Sequence, residues 1–302
     1  MSSEGQIGLR PPPGQSAPPR FDRGWAAADG GVMPFLSYVE EGNGDVNWSP
    51  ELEALHEESS RGHPIDIFSR RVTLERLGRL DAGAVLLDLG CSTGFLLEDL
   101  RRAHPDATLI GVDLVASGLA KAHRNVPDAR LMQADACVLP LADASIDGAV
   151  SLNLLEHIPD DQRALAELRR VLRPGAGAVL IVPAGRGLYD YYDHFLSHER
   201  RYGRGELAAK ARGAGLEVVD DLHLGSLLYP AFWVAKKRNR RLRANMDRER
   251  LEARVMADIA LTRDSRLVRA GLWLERFLVE RGFRPGWGIR GLTVVRRPPA
   301  SP

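Results

Sequence analysis

The chain has 302 residues, 44% of them hydrophobic, with 41 Lys and Arg against 40 Asp and Glu and a formal charge of +1. That balance argues against a nucleic-acid partner and leaves a chain long enough to bury one large core plus a smaller cap. The two cysteines, Cys91 and Cys137, read as free thiols of a reduced cytoplasmic protein. The sequence shows no secretory leader and no apolar run of the roughly 18 residues a membrane span needs.

Taken in order, residues 1–20 are rich in Pro, Gly and Ser and are expected to be a disordered leader. Residues 21–80 form an N-terminal cap. Its aromatic, Gly-broken first part is followed by a helix opening at Ser49-Pro50 and running to His56, then by a second helix over 65–80. From 81 to 225 apolar runs alternate with helical patterns. Strands are expected at 85–89, 108–113, 130–136 (a strand and the loop after it), 146–152, 178–183 and 216–224, the first five parallel strands of a right-handed βαβ series. Residues 226–290 are a helical insertion, and 291–302 a last short strand and tail. In the insertion, the apolar stretch 227–234 precedes Lys236, Lys237, Arg238, Arg240, Arg241 and Arg243. A packed turn leading into a solvated basic helix is preferred there over a membrane-facing edge. The fold class is therefore α/β: a Rossmann-like, doubly wound, mostly parallel seven-stranded sheet, with helices before it and a helical insertion between its last two strands.

The organising stretch is Val85-Leu86-Leu87-Asp88-Leu89-Gly90-Cys91-Ser92-Thr93-Gly94-Phe95, a buried strand ending in an acid and a two-glycine turn. Open parallel sheets bind ligands at the carboxyl ends of their strands. A dinucleotide site needs Gly-x-Gly-x-x-Gly, but Ser92 and Phe95 stand where the second and third glycines would be, and no P-loop Gly-Lys-Ser/Thr follows. Acids end the first three strands, at Asp88, Asp113 and Asp135. Such a mouth suits a cationic, hydroxylated ligand better than phosphates.

Here the sequence resembles the class I S-adenosylmethionine-dependent methyltransferases, of the small-molecule, ubiquinone-biosynthesis-like kind. The resemblance rests on Asp88-Leu89-Gly90-Cys91-Ser92-Thr93-Gly94, Gly111-Val112-Asp113-Leu114, Ala134-Asp135-Ala136, Leu155-Glu156-His157-Ile158 and Leu172-Arg173-Pro174-Gly175. It implies that Gly90 and Gly94 let the backbone approach S-adenosylmethionine and that Asp88 orients the amino-acid end. Asp113 would take the ribose hydroxyls, Asp135 the adenine amino group and Asn153 the ammonium; Ser92, Leu114 and Ala136 complete the set. The product would be S-adenosylhomocysteine.

Methyl transfer draws most of its rate from alignment and needs a base only for a protic acceptor. His157, His198 and His194 are the candidate bases, with His157 and His198 preferred; for His157 a structural role, tethering its loop, stands level with catalysis. His198-Glu199-Arg200-Arg201-Tyr202 resembles a His-x-Arg-Arg-Tyr segment of one methyltransferase branch whose loop closes over the acceptor. Tyr192, His194 and Arg200 are the expected acceptor contacts, with an ion pair to Asp190 or Asp193 as the alternative for the arginines. In ubiquinone-type relatives the loop reads Glu-x-x-Glu-His and can hold a cation; Asn153 stands at its first position here, and no metal is expected. The expected activity is methylation of a small molecule, and the 37 Arg against 4 Lys suggest a GC-rich bacterial source and specialised metabolism. A lipid-linked acceptor at a membrane surface and a non-catalytic cofactor-binding partner domain are the alternatives. Acceptor identity, the methylated element and the oligomeric state, a homodimer included, stay open.

Overall fold

The computed structural model describes residues 7–27, 30–39, 61–239, 250, 253–255, 257, 262, 263 and 265–300. Two-residue strands β1 (Trp25–Ala26), β2 (Val32–Met33) and β3 (Leu36–Ser37) open the chain, followed by helix α1 (Pro64–Leu77). Then come β4 (Val85–Leu89), α2 (Phe95–Ala103), β5 (Thr108–Asp113), α3 (Ala116–Asn125), β6 (Arg130–Gln133) and β7 (Ile146–Leu152). After these follow α4 (Asp161–Val171), β8 (Leu172–Pro183), α5 (Tyr191–Phe195), α6 (Glu206–Gly213) and β9 (Glu217–Leu224). The chain closes with α7 (Tyr229–Asn239), α8 (Arg266–Glu280) and β10 (Arg290–Arg296).

The main sheet runs β3-β6-β5-β4-β7-β8-β10-β9. Strands β3 to β8 are parallel, and β10 lies antiparallel between β8 and β9. The seven expected strands are all present; β3 adds an eighth, two residues long, on the β6 edge. Side chains alternate faces along each strand. Leu87 and Leu89 of β4 join Leu180 and Val182 of β8 in one core layer with Leu165 and Leu168 of α4 and Leu207 of α6. Leu86 faces the other way, onto Leu97 and Leu100 of α2 and Leu119 of α3. Further along that face, Val179 and Ile181 meet Phe68 and Val72 of α1 and Leu272 of α8. Both faces are covered, which is why the strands read as unbroken apolar runs.

Several elements differ from expectation. Residues 7–10 of the leader make specific contacts. Leu9 bridges Leu141, the Arg10 N–H donates to Pro140 O (2.9 Å) and the Tyr38 hydroxyl donates to Arg10 O (2.7 Å). Ile7 and Leu9 pack on the core, and Trp25, 2% exposed, donates its indole N–H to Leu131 O (3.0 Å). This strap gains its order from the sheet edge it covers, a tertiary source that local composition does not record. Helix α1 stops at Leu77 because Gly78 takes φ 75° and caps Leu74 O. The expected helix over Ser49 to His56 lies outside the described residues. Lys236 is not solvated: it is 6% exposed and paired with Asp190 (2.6 Å). A charge run winding round a helix must turn one member inward, and α7 turns Lys236.

Tyr202, 1% exposed, ties two layers together by donating toward Leu155 O (3.1 Å) and Asp161 Oδ2 (2.7 Å), while Lys210 Nζ holds the other oxygen of Asp161 at 2.7 Å. The Tyr202→Phe variant, which removes a buried hydrogen bond to a carboxylate, is expected to lose about 1–3 kcal/mol in urea denaturation with an unchanged m-value.

Candidate active site

The carboxyl ends of β4, β5, β6 and β7 meet at one mouth. Asp88 closes β4 next to its last residue and is 1% exposed. Its Oδ2 is buried with no hydrogen-bond partner, and burial, with the Asp113 charge adding to it, pushes its pKa up to about 8. A buried acid with an unpartnered oxygen is chemically suited to receive a cationic or hydrogen-bond-donating group.

Gly90 and Gly94 both take φ 84°, the left-handed turn foreseen for them. A Cβ on Gly90 would come within 2.9 Å of the Leu154 side chain, and one on Gly94 within 3.0 Å of Ala122, so neither position has room for a side chain. Between them Ser92 also has positive φ, at 45°, and its N–H donates to Asp113 Oδ2 at 2.8 Å. The other Asp113 oxygen accepts the Val115 N–H at 2.9 Å. Asp113 thus pins the glycine loop to the end of β5 while presenting its charge to the mouth, a positioning role in addition to the one expected. Asn125 Nδ2 donates to Thr93 O (2.9 Å) and holds the loop from the α3 side. Leu114 is anchored through its carbonyl, which accepts from Gln133 Nε2 at 3.1 Å. Asp135 is exposed at the end of β6, its Oδ1 accepting the Cys137 N–H (2.8 Å), with Ala136 buried beside it. Asn153 follows β7 at φ 52°, which asparagine tolerates better than most residues, and its N–H donates to Ile181 O at 2.8 Å. Cys91 is buried, its Sγ 2.9 Å from where a Gly111 Cβ would sit, as a small loop residue should be.

The second half of the mouth comes from the segment after β8. The Glu199 N–H donates to Glu156 O at 2.8 Å, drawing His198 over the 3-10 turn Leu155–His157. The rings of His157 and His198 lie edge to face, 4.8 Å apart. Asp193, fully buried, holds His198 Nδ1 at 2.9 Å and the Arg201 Nε at 2.6 Å, with Lys236 Nζ 3.5 Å from its other oxygen. Burial opposes ionisation of Asp193, but the His198 hydrogen bond and the Arg201 and Lys236 charges outweigh it and hold the carboxyl below the usual range. Burial in turn lowers the His198 pKa in spite of Asp193. An ionised Asp193 then keeps the proton on Nδ1 and leaves Nε2 as a base. Asp193 is the residue sequence reasoning weighed only as an ion-pair partner; its place three residues after Asp190, with which it caps both ends of α5's first turn, is the signal that marks it.

The remaining expected contacts separate. Tyr192 is half-buried, and burial, together with the Asp66 charge, raises its pKa. His194 is exposed and edge-on to Tyr189, on the outer side of α5 and away from the histidine pair. Arg200 is engaged elsewhere: it pairs with Asp161 (3.1 Å) and donates to Pro159 O (2.9 Å). There it lines a cavity of about 430 Å³ with Arg186, Tyr189, Arg201, Glu206 and Lys210. Of the two arginines, Arg201 makes the link to Asp193. The ligand atoms of Glu156, His157 and His198 lie within 4.8 Å of one another, a spacing a cation could use. Burial pushes the Glu156 pKa up to about 8, and Arg290 and Arg201 put positive charge nearby, so this donor set fits a cation poorly.

Comparison with known proteins agrees with this architecture. The profile of the family described as Methyltransferase domain matches residues 87–180. An O-methyltransferase of Pyrenophora dematioidea is 36% identical over 120 residues, covering 37% of this chain and 45% of its own length. A probable S-adenosylmethionine-dependent methyltransferase of Mycolicibacterium smegmatis is 31% identical over 156 residues, covering 50% of this chain and 59% of its own. The matches thus span about half the length of these curated relatives. Among solved structures, phosphoethanolamine N-methyltransferase 2 of Haemonchus contortus in complex with S-adenosyl-L-methionine superposes with a TM-score of 0.51 at 18% identity, over 76% of this chain and 52% of that one. Residues 87–180 thus match a methyltransferase domain, and the chain is similar to S-adenosylmethionine-dependent methyltransferases over half of its length or less.

Because the Asp88 pKa is raised above its unfolded value, the folded state keeps a proton that the unfolded chain gives up. Stability is lost as pH rises through that window. Asp88→Asn should therefore gain on the parent by roughly 2–4 kcal/mol between about pH 5 and pH 8 in paired urea titrations. A pH-independent difference would show that Asp88 ionises normally.

Proposed function

We propose that this protein transfers the methyl group of S-adenosylmethionine to a hydroxyl oxygen of a small molecule, with His198 as the base and His157 beside it. The observation that carries the reading is the Asp193–His198–His157 series at the mouth, 2.9 Å from carboxylate to ring and 4.8 Å from ring to ring. A carboxylate acceptor is already a nucleophile, whereas a hydroxyl must lose a proton as the carbon–oxygen bond forms. A neutral histidine oriented by a buried acid is built for that step, and the O-methyltransferase relative of Pyrenophora dematioidea agrees with it. Bound S-adenosylmethionine supplies an electrophilic methyl on a sulfonium.

Toward that donor, the residues divide the work. Asp88 would meet the amino-acid end and the Asn153 side chain the ammonium, Asp113 the ribose diol and Asp135 the adenine. The orphaned Asp88 oxygen and the two crowded, positive-φ glycines support the fit. Tyr192, on the turn before His198, would flank the acceptor. A setting in bacterial specialised metabolism is consistent with the arginine-biased composition.

Calorimetry and a labelled-methyl assay over a panel of phenols and alcohols test this reading. Asp113→Ala should weaken S-adenosylmethionine binding by roughly tenfold or more, with NAD failing to bind the parent at all. His198→Asn should lower kcat by roughly a hundredfold while leaving donor affinity intact. Unchanged kcat in His198→Asn would remove the base, and full affinity in Asp113→Ala would remove the cofactor assignment.

A further inference from the structure

The C-terminal insertion carries a charge that the whole-chain balance hides. Residues 227–284 contain 15 Lys and Arg against 7 Asp and Glu, a formal +8 inside a chain of +1. Within this segment, α8 is apolar on two opposite faces. Val268, Leu272 and Val279 turn inward toward α1 and the sheet, and Glu275 between them accepts the Gly225 and Leu227 N–H groups. At 3.6 residues per turn the face opposite is Ala270, Trp273, Leu274 and Phe277. Trp273 is 68% exposed, Leu274 44% and Phe277 39%.

A surface helix ordinarily places polar residues opposite its core stripe. On α8 that position is aromatic, and cations frame it. The Trp273 and Phe277 rings stack at 6.0 Å, and the Arg281 guanidinium lies 3.4 Å over Phe277. Arg266 is exposed at the other end of the helix. Helix α7 repeats the pairing, with Trp233 43% exposed and Lys237 Nζ 4.6 Å from its ring centroid. Aromatic rings with arginine and lysine stems alongside suit the headgroup boundary of a bilayer, where rings enter the apolar side and cations meet lipid phosphates. A second copy of this chain would bring +8 against +8, and a nucleic acid would leave the Trp273–Phe277 face without an apolar counterpart.

We infer that the outer face of α8, with the cations around it, seats this protein on an anionic membrane surface. The inference is independent of the acceptor chemistry. Lipid association would be peripheral, since no helix among the described residues is long and apolar enough to cross a membrane.

The full chain is floated with vesicles of phosphatidylcholine alone and of phosphatidylcholine mixed with phosphatidylglycerol. Flotation is expected with the mixed vesicles at low salt and is lost at about 0.5 M salt. The double variant Trp273→Ala/Phe277→Ala should partition roughly tenfold more weakly, with a melting temperature and S-adenosylmethionine affinity equal to the parent's. No flotation of the parent at low salt, or equal flotation of the double variant, overturns the inference. So does a stable solution dimer that the double variant dissolves.

Discussion

A parallel sheet covered on both faces leaves polar chemistry only one outlet, the carboxyl ends of its strands. In this protein that constraint decides where every candidate functional group sits. Leu86 and Leu87 point into opposite core layers, and the strand that holds them can carry an acid only at its end, at Asp88. The same holds for Asp113 after β5 and Asn153 after β7. The glycine loop can lie flat across these ends because a left-handed backbone at Gly90, Ser92 and Gly94 turns it there, and Asp113 fastens it through the Ser92 N–H.

The other half of the mouth is held electrostatically. Asp193 carries a negative charge into an interior with no exposure, and His198, Arg201 and Lys236 converge on it from two separate segments. Removing one partner of such a cluster costs more than the pair contributes, because the remaining charge is left buried and uncompensated. Lys236 is the long-range member: it comes from α7 and also holds Asp190 at 2.6 Å, so the wall carrying His198 is fastened to the insertion. The histidine side of the mouth and the C-terminal insertion therefore share one electrostatic anchor.

The glycine-loop half of the mouth was legible in the sequence because each of its features is local. Buried strands announce themselves as apolar runs, and Gly90, Gly94 and the acids after the strands stand at fixed offsets from them. The acceptor half depends on contacts across the chain that no local pattern encodes. Arg200 and Arg201 are neighbours, yet one turns to Asp161 and the other to Asp193, a choice made by the path of the loop over the 3-10 turn at Leu155–His157. His194 has the same chemistry as His198 but sits on the outer side of a five-residue helix, where Tyr189 meets it. The contacts of residues 7–20 are non-local for a related reason. Pro and Gly lower the segment's own tendency to fold, but the loop at Pro140 to Ala142 supplies backbone partners from outside.

The antiparallel pairing of β9 and β10 has an architectural consequence. Leu224 and Arg290 face each other in register, and the Ile289 N–H closes on Leu224 O at 2.8 Å. Everything from 225 to 289 is thus a hairpin connection whose two ends are one hydrogen bond apart. The entropy of closing such a connection rises only slowly with its length. Closure entropy therefore sets little limit on the length of the segment; what ties this one to the sheet is its packing through Leu272 and the pairing of Lys236 with Asp190 and Asp193.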